Sequence, residues 1–174
     1  LLSRGLGDVY KRQIKSLYIM GGIGEGKGNI TELAEFNFWV DPDAADIVLN
    51  SEMNIKMIAW DTTQIYGYLN KRNFEDLKKI NTPLSRFAIN IQKKGLEYYK
   101  IKYNEHKIDL ADPLAMAVMI NDEDTNYKSC NIKIILDGEE RGKDLVSFNK
   151  NGNIKLATQV SRSNFLNTLK KSLV

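Results

Sequence analysis

Cysteine is nearly absent from this sequence of 174 residues, which contains only Cys130. A single cysteine cannot form an intrachain disulfide, and alone it cannot assemble a thiolate metal site. Cys130, Ile132, Ile134 and Leu136 lie two residues apart and share one face of a predicted strand. We therefore expect Cys130 to be a small buried apolar residue rather than a nucleophile. This cysteine usage is compatible with a reducing compartment, and we predict a cytoplasmic location.

Long apolar runs and a strong excess of one charge are also missing. The sequence has no run of about eighteen apolar residues, so it predicts no membrane-spanning helix and no membrane partner. The net charge is +3, and Arg4, Lys11, Arg12 and Asp8 account for +2 of it within the first thirteen residues. So small a charge on the remainder argues against a nucleic-acid partner.

The first thirteen residues, LLSRGLGDVYKRQ, differ in character from the rest. They have neither the charged start and apolar core of a signal peptide nor an amphipathic pattern. Their end, DVYKRQ, resembles the translation of a transposon end used in sequencing-library adapters. We therefore expect residues 1–13 to be a non-native extension and residues 14–174 to be the domain itself.

Short apolar runs that alternate with amphipathic segments indicate an α/β fold. Residues 14–20 and 55–60 are typical of buried parallel strands. Proline at the first helical position predicts helices over 42–51, 83–103 and 112–120, and the last of these should have Asp112 as its N-cap. The apolar face of the helix over 83–103 should consist of Leu84, Phe87, Ala88, Ile91 and Leu96. Apolar spacing predicts two more helices over 73–80 and 163–173. Three strand-like runs between residues 127 and 160 are separated by turns. The sequence thus predicts a mostly parallel, open, Rossmann-like sheet flanked by helices, with a small antiparallel extension near the C-terminus.

Amide and carboxylate side chains concentrate just before the helix predicted to begin at Pro42. Asn29, Glu35 and Asn37 lie in the connection between a predicted strand and that helix, where an open α/β sheet binds its ligands. Side chains of this kind can hydrogen-bond hydroxyl groups. The alternative is that they are ordinary loop residues that stabilise turns.

Five blocks of the sequence resemble the inosine-uridine preferring nucleoside hydrolase family: IMGG (19–22), GN (28–29), AEFN (34–37), VDPDAA (40–45) and DPLAMA (112–117). The resemblance extends from about Lys15 onward but covers only the later part of a family member, because the signature D-T-D-P-G-x-D-D is not in this sequence. It implies the C-terminal fragment of a calcium-dependent enzyme of purine and pyrimidine salvage. That enzyme cleaves the N-glycosidic bond of a small-molecule ribonucleoside to ribose and free base. The resemblance also implies a homo-oligomeric parent protein and an inactive fragment.

The resemblance assigns roles to residues of the polar stretch. Asn29, Glu35 and Asn37 would hydrogen-bond the ribose hydroxyls. Met20 and Phe36 would line the apolar face of the sugar.

The resemblance also bears on metal binding and catalysis. Asp112 would be one ligand of a Ca²⁺ ion, which needs several more oxygen ligands. No catalytic residue is expected in this chain, since the general base would be an aspartate of the missing signature. Many family members have histidine where this chain has Ala111, and we expect the only histidine, His106, to lie at the surface. The preferred base therefore stays unassigned.

Two other interpretations compete with this one. Residues 21–27 fit the spacing G-x-x-x-x-G-K of a phosphate-binding loop, but the Ser or Thr that should follow is Gly28. Glycines that permit close backbone approach beside a site are the better interpretation. A non-catalytic binding domain descended from hydrolases is the third possibility, since Ala111 cannot protonate a leaving base.

Two further groups of residues have an open role. Residues 61–63 follow a predicted strand, where Asp61 either faces a ligand or caps the next turn. Tyr98, Tyr99 and Tyr103 either line a base-binding pocket by stacking or serve in packing.

Overall fold

A computed structural model describes residues 13–174, which form two compact units. The first unit contains residues 13–62 and 126–159, and the second contains residues 63–125 and 160–174. The predicted non-native extension, apart from Gln13, lies outside the described residues. The predicted domain bounds, 14–174, stay a prediction.

The secondary structure alternates between strands and helices along most of the chain. In chain order the elements are β1 (Leu17–Met20), α1 (Phe36–Val40), α2 (Pro42–Leu49), β2 (Ile55–Ile58), α3 (Trp60–Tyr66), β3 (Tyr68–Asn70), α4 (Lys71–Ile80), α5 (Pro83–Ile91), α6 (Lys93–Tyr103), β4 (Lys107–Asp109), α7 (Ala111–Ile120), β5 (Asn126–Ile134), β6 (Asp144–Phe148), β7 (Ile154–Gln159) and α8 (Arg162–Ser172). No helix within residues 13–174 is long and apolar enough to cross a bilayer.

A five-stranded sheet in the order β1-β2-β7-β5-β6 forms the centre of the first unit. Strands β1, β2 and β7 run parallel, whereas β5 pairs antiparallel with both β7 and β6. The predicted α/β class, with a parallel sheet and an antiparallel extension, is confirmed. The position of β7 differs from the prediction, which assigned it to the antiparallel extension alone. In the structure β7 is the central strand of the sheet, because residues 154, 156 and 157 are all buried and suit an interior position.

One face of this sheet and the helix α2 enclose an apolar core. The core residues from the strands alternate along the chain, as the period of a strand requires. They include Ile55 and Met57 of β2, Ile154 and Leu156 of β7, and Cys130, Ile132 and Ile134 of β5, with Phe38 and Leu49 from the helices. Cys130 is buried as predicted. The prediction that Leu136 continues this inward face is wrong, because β5 ends at Ile134 and Leu136 is exposed.

The second unit consists mainly of helices, with β3 and β4 forming a short antiparallel pair. These two strands were not predicted because three residues each are too few to show a period. The predicted helix over 83–103 is two helices, α5 and α6, separated at Gln92. The predicted apolar face of α5 is also wrong, since Leu84, Phe87 and Ile91 are exposed and the helix buries Ser85 and Ile89 instead. Ser85 is buried without cost to its hydroxyl because it forms a capping box with Thr82.

Arg162 connects several elements of the second unit. Its Nη1 donates to the carbonyl oxygens of Tyr66 (2.9 Å) and Tyr68 (2.7 Å), and its Nη2 donates to Asn73 Oδ1 (3.0 Å). The guanidinium carbon also lies 3.6 Å from the centre of the Tyr68 ring. One planar cation therefore joins the first turn of α8 to α3, β3 and α4.

Candidate functional site

The backbone of residues 22–25, directly after β1, is held by carboxylates. Four successive N–H groups in this loop donate to side-chain oxygens: Gly22 to Glu35 (3.1 Å), Ile23 and Gly24 to Asp144 (2.9 and 3.1 Å), and Glu25 to Asp61 (3.0 Å). Successive backbone N–H groups of a turn can bind negatively charged oxygen. Here three separate carboxylates, those of Glu35, Asp144 and Asp61, supply that oxygen.

These contacts decide against a phosphate-binding loop at residues 21–27. Such a loop needs its N–H groups available for phosphate and a helix that begins directly behind it. Here the N–H groups of residues 22–25 already donate to carboxylates, and the next helix begins only at Phe36. The glycines instead serve close backbone approach, as at Gly22, where an added Cβ would lie 2.8 Å from the Phe38 ring.

Glu35 is the N-cap residue of α1. Its Oε1 accepts from the N–H of Asn37 (3.0 Å), and its Oε2 accepts from the N–H groups of Phe38 (3.4 Å) and Gly22. The side chain is only 2% exposed. Burial raises the pKa of Glu35, although the three N–H donors act in the opposite direction, and the charge of Asp144 adds to the increase. This carboxylate thus fixes the start of α1 against the loop after β1.

The helix α1 corrects the sequence interpretation, which placed Asn29, Glu35 and Asn37 together in an irregular connection. Only Asn29 lies outside the helix, whereas Glu35 caps it and Asn37 belongs to its first turn. The helix has five residues, which is too short for periodicity to reveal it. A carboxylate directly before FNFWV is the local signal, since an acidic side chain can cap a helix N-terminus.

The five predicted sugar-binding residues lie together in the first unit. Asn29 Oδ1 accepts from the N–H of Phe36 (2.8 Å), and Asn37 Nδ2 donates to the carbonyl oxygen (3.3 Å) and the sulfur (3.4 Å) of Met20. Asn29, Phe36 and Asn37 are exposed, and half of the Phe36 surface, 51%, is open to solvent. We call Met20, Asn29, Glu35, Phe36 and Asn37 the amide cluster. It combines an apolar ring, a thioether and two exposed amides.

Each exposed amide has one polar group that forms no hydrogen bond within the described residues. Among residues 13–174, no hydrogen bond engages Asn29 Nδ2 or Asn37 Oδ1. One is a donor and the other is an acceptor. Hydroxyl groups, which both donate and accept, match this pair.

Asp61 was predicted either to face a ligand or to cap the turn that follows it, and in the structure its carboxylate accepts from two backbone N–H groups. It belongs to the first turn of α3, where its Oδ1 accepts from the N–H of Thr62 (2.5 Å). Its Oδ2 reaches back to the N–H of Glu25. Asp61 therefore stabilises the loop beside the amide cluster as well as its own turn.

Asp144 and Arg141 are contributors to this region that the sequence did not reveal. Asp144 begins β6, is 8% exposed, and has its pKa raised by burial against the lowering effect of the Ile23 and Gly24 N–H groups. Arg141 donates from Nε to the carbonyl oxygen of Trp39 (3.2 Å) and from Nη2 to that of Val40 (3.3 Å), so it caps the C-terminal end of α1. Both lie about 100 residues or more from their partners in sequence, and no local pattern marks them.

Asp112 belongs to the second unit, and its predicted role as an N-cap is wrong. The helix α7 begins one residue earlier, at Ala111, with Leu110 in the capping position, so Asp112 lies in the first turn. The reason is that β4 leads directly into the helix, with the Leu110 N–H donating to the Gly67 carbonyl oxygen (2.7 Å). The Asp112 side chain is exposed.

The described residues do not by themselves fit a calcium site. Calcium takes about six to eight oxygen ligands, so a protein site needs several carboxylate and carbonyl groups close together. Residues 13–174 contain no group of three or more His, Cys, Asp or Glu side chains that could hold a metal ion. Asp112 therefore stands as a predicted single ligand, and the buried carboxylates of the first unit serve backbone N–H groups instead.

Three tyrosines of α6, Tyr98, Tyr99 and Tyr103, pack against one another. Their ring centres are 5.2 to 6.3 Å apart, and the Tyr99 hydroxyl donates to Asp109 Oδ2 (3.2 Å). Burial and the negative charge of Asp109 raise the pKa of Tyr99. Tyr98, Tyr99 and Tyr103 thus pack against one another, and stacking of these rings on a nucleobase stays a prediction.

Comparison with known proteins places these features in context. The sequence model of the inosine-uridine preferring nucleoside hydrolase family matches residues 7–167. A pyrimidine-specific ribonucleoside hydrolase, RihA of Photobacterium profundum, is 34% identical over 116 residues, which cover 64% of this chain and 36% of that protein. The inosine-uridine preferring nucleoside hydrolase of Crithidia fasciculata is 32% identical over 113 residues, 63% of this chain and 34% of that protein.

Solved structures show the same fold. A purine-preferring ribonucleoside hydrolase from Gardnerella vaginalis superposes with a TM-score of 0.82 and 26% identity, over 94% of this chain and 53% of that one. A plant nucleoside hydrolase superposes with a TM-score of 0.86 and 23% identity, over 95% and 55%. The matched region is about a third of the length of the curated relatives and about half of the length of the solved structures.

Proposed function

Since this chain belongs to the inosine-uridine preferring nucleoside hydrolase family, we propose that its amide cluster binds the ribose of a ribonucleoside whose N-glycosidic bond the longer enzyme hydrolyses. The observation that carries the proposal is the geometry of Asn29 and Asn37. Each presents one unused polar group on an exposed side chain of the same cluster. A free donor and a free acceptor within one cluster suit the adjacent hydroxyls of a ribose.

The other members of the cluster have different tasks in this proposal. The exposed Phe36 ring and Met20 provide an apolar surface for the carbon face of the sugar. Glu35 is buried and accepts three backbone N–H groups, so its main task is to fix Asn37 and the loop after β1. A pocket built to pair with hydroxyls discriminates strongly against sugars that lack them.

Cleavage of the glycosidic bond needs more than sugar binding. An attacking water must lose a proton to a base, and the departing nucleobase must be stabilised as the bond to C1′ breaks. Neither Asn29 nor Asn37 can accept that proton, because an amide is not a base near neutral pH. Ala111 offers no acid for the leaving base. We therefore infer that this chain alone shows no measurable hydrolysis, and steady ribose release from the purified protein would contradict that inference.

The metal and cellular features belong to the proposal for the longer enzyme. Asp112 would contribute one carboxylate to a Ca²⁺ ion whose other ligands come from outside residues 13–174. The single buried Cys130 suits a reducing cytoplasm, where salvage of purine and pyrimidine nucleosides takes place. A homo-oligomeric parent protein stays a prediction.

Titration of the purified chain with uridine and inosine tests the proposed function. We expect saturable binding that perturbs the NMR signals of the Asn29 and Asn37 side-chain amides. Asn37→Ala should weaken binding by about tenfold, since a hydrogen bond made only to the ligand is lost. The matched control is Asn151→Ala, which removes an exposed amide from the turn between β6 and β7.

Analogues that lack ribose hydroxyls make the test specific. Uridine should bind more tightly than 2′-deoxyuridine and 3′-deoxyuridine, because each of these lacks a hydroxyl that the amides would pair with. Magnesium with a nucleoside triphosphate should not bind at the loop after β1, where carboxylates would repel the phosphates. Equal affinity for uridine and its deoxy analogues would refute the proposed function.

A further inference from the structure

We propose that Asp144 is a positioning residue for the amide cluster, one that holds the loop of residues 22–24 in the conformation from which Met20 and Asn37 can contact a sugar. This inference rests on the proposed function but assigns a role to a residue outside the cluster. The supporting observation is that the buried carboxylate of Asp144 accepts from the backbone N–H groups of Ile23 and Gly24.

Asp144 is itself held firmly by the sheet. It is the first residue of β6, opposite Ile134 of β5, and the preceding turn is closed by a hydrogen bond from the Ile135 N–H to the Lys143 carbonyl oxygen (3.0 Å). From this position its Oδ1 accepts from Ile23 (2.9 Å) and its Oδ2 from Gly24 (3.1 Å). A carboxylate with both oxygens engaged fixes direction as well as distance.

The loop needs such an anchor because its own backbone cannot satisfy these groups. Gly22 and Gly24 have positive φ angles of 69° and 81°, which turn the chain sharply after β1. The carbonyl oxygens of Gly22 and Ile23 accept from the N–H groups of Trp60 (2.9 Å) and Asp61 (3.2 Å). The N–H of Ile23, a residue only 7% exposed, has no backbone acceptor among residues 13–174, so the side chain of Asp144 replaces one.

The loop transmits this position to the amide cluster through Glu35. The N–H of Gly22 donates to Glu35 Oε2, and Glu35 Oε1 accepts from the N–H of Asn37. Asn37 returns to the strand before the loop by donating to Met20. A shift of the loop that keeps its contact with Glu35 must therefore move Glu35, and a movement of Glu35 displaces Asn37.

The same turn also holds the other end of α1. Arg141 donates to the carbonyl oxygens of Trp39 and Val40, and an added Cβ on Gly142 would lie 2.5 Å from the Trp39 Cα. We call residues 136–144 the clamp turn. Because α1 has only five residues, contacts at both ends leave it little freedom to tilt.

Asp144→Asn is the direct test, because it keeps the shape of the side chain and replaces one oxygen with an NH₂ donor. That donor faces a backbone N–H, so one of the two loop contacts is lost. We expect the affinity for uridine to fall by about tenfold, because a displaced Asn37 amide loses about one hydrogen bond to a ribose hydroxyl. The preference for uridine over its 2′- and 3′-deoxy analogues should shrink as well. A merely destabilised fold would lower all three affinities by the same factor and leave that preference unchanged.

The matched control is Asp137→Asn, an exposed carboxylate of the clamp turn that makes no hydrogen bond to residues 13–174 through its side chain. It should leave both affinity and preference as in the wild type. If Asp144→Asn retains the wild-type affinity and preference, the inference is overturned. If that variant does not fold, Asp144→Ser, which keeps one acceptor oxygen without the charge, should show the same loss.

Amide hydrogen exchange separates this inference from the proposed function. The Ile23 and Gly24 amides should exchange slowly in the wild type and much faster in Asp144→Asn, and the Asn37 side-chain NMR signals should shift. If the wild type binds no ribonucleoside, the proposed function fails. The exchange rates of the Ile23 and Gly24 amides and the Asn37 NMR signals then still test whether Asp144 positions the loop. Unchanged exchange and unchanged Asn37 signals would overturn it.

Discussion

Replacement of Glu35 by Gln tests whether this residue acts mainly as a structural cap. The carboxylate is 2% exposed and accepts three backbone N–H groups. Glutamine offers one acceptor oxygen in the same space, so at least one N–H loses its partner and faces an NH₂ group. An unpaired buried donor costs about 1–3 kcal/mol, and relief from burying a charge offsets part of this, so we expect a net loss of about 2 kcal/mol near neutral pH.

Thermal unfolding followed by circular dichroism measures this loss. For a protein of this size, about 2 kcal/mol lowers the unfolding midpoint by roughly 4–8 °C. The matched control is Glu32→Gln, an exposed carboxylate three residues earlier, which should leave the midpoint unchanged. A midpoint for Glu35→Gln equal to that of the control would show that the cap contributes nothing and would refute the reasoning.

The pH dependence of the same variant gives a second measurement. Because burial raises the pKa of Glu35 above 4.5, the folded protein holds this proton more tightly than the unfolded chain. The resulting stability is fully present below pH 4.5 and is lost as the pH rises through the raised pKa. Glutamine does not titrate, so the loss in Glu35→Gln should be smaller at about pH 8 than at about pH 4.

Three further predictions concern Cys130, Arg162 and Gly28. Burial raises the pKa of Cys130 to about 11, so iodoacetamide should label it only in denaturant, and rapid labelling of the folded protein would contradict its position in the core. Arg162→Lys should destabilise the protein by about 2–3 kcal/mol, measured by urea unfolding, because one ammonium cannot keep the three hydrogen bonds and the stacking on Tyr68. Gly28→Ala should prevent stable folding or displace Asn29, because its Cβ would lie 2.1 Å from the Ala34 carbonyl oxygen, and a wild-type unfolding midpoint would exclude this.

The sequence predicted correctly the helix starts that depend on contacts between residues close together in the chain. The helices at Pro42 and Pro83 begin where predicted because Asp41 and Thr82 each accept a backbone N–H three residues later (3.0 Å in both). The same pattern failed at Asp112. There the preceding strand fixes the backbone and starts the helix a residue earlier, so tertiary structure overrides an identical signal.

The site divides in the same way. Its amides and its apolar ring fall within one short stretch, where the resemblance to a known family predicts sugar-binding residues, and that role stays a prediction. Asp144 could not be found from the sequence, because its two partners lie 120 and 121 residues away and a single aspartate after a turn is unremarkable. For Glu35 the sequence predicted ribose binding, which stays a prediction, and did not predict its burial or its three N–H donors, which arise only when the loop after β1 folds back on α1.

The central position of β7 has a consequence for how the chain reaches its native state. The sheet of the first unit is interrupted by residues 63–125, and its middle strand, 154–159, is the last to be synthesised. On a ribosome, β1 and β2 must wait for almost a hundred further residues before their open edge is paired. Sheets that depend on such distant segments fold slowly and leave apolar edges unprotected meanwhile. Expression at low temperature or together with chaperones should therefore increase the amount of folded protein recovered from cells.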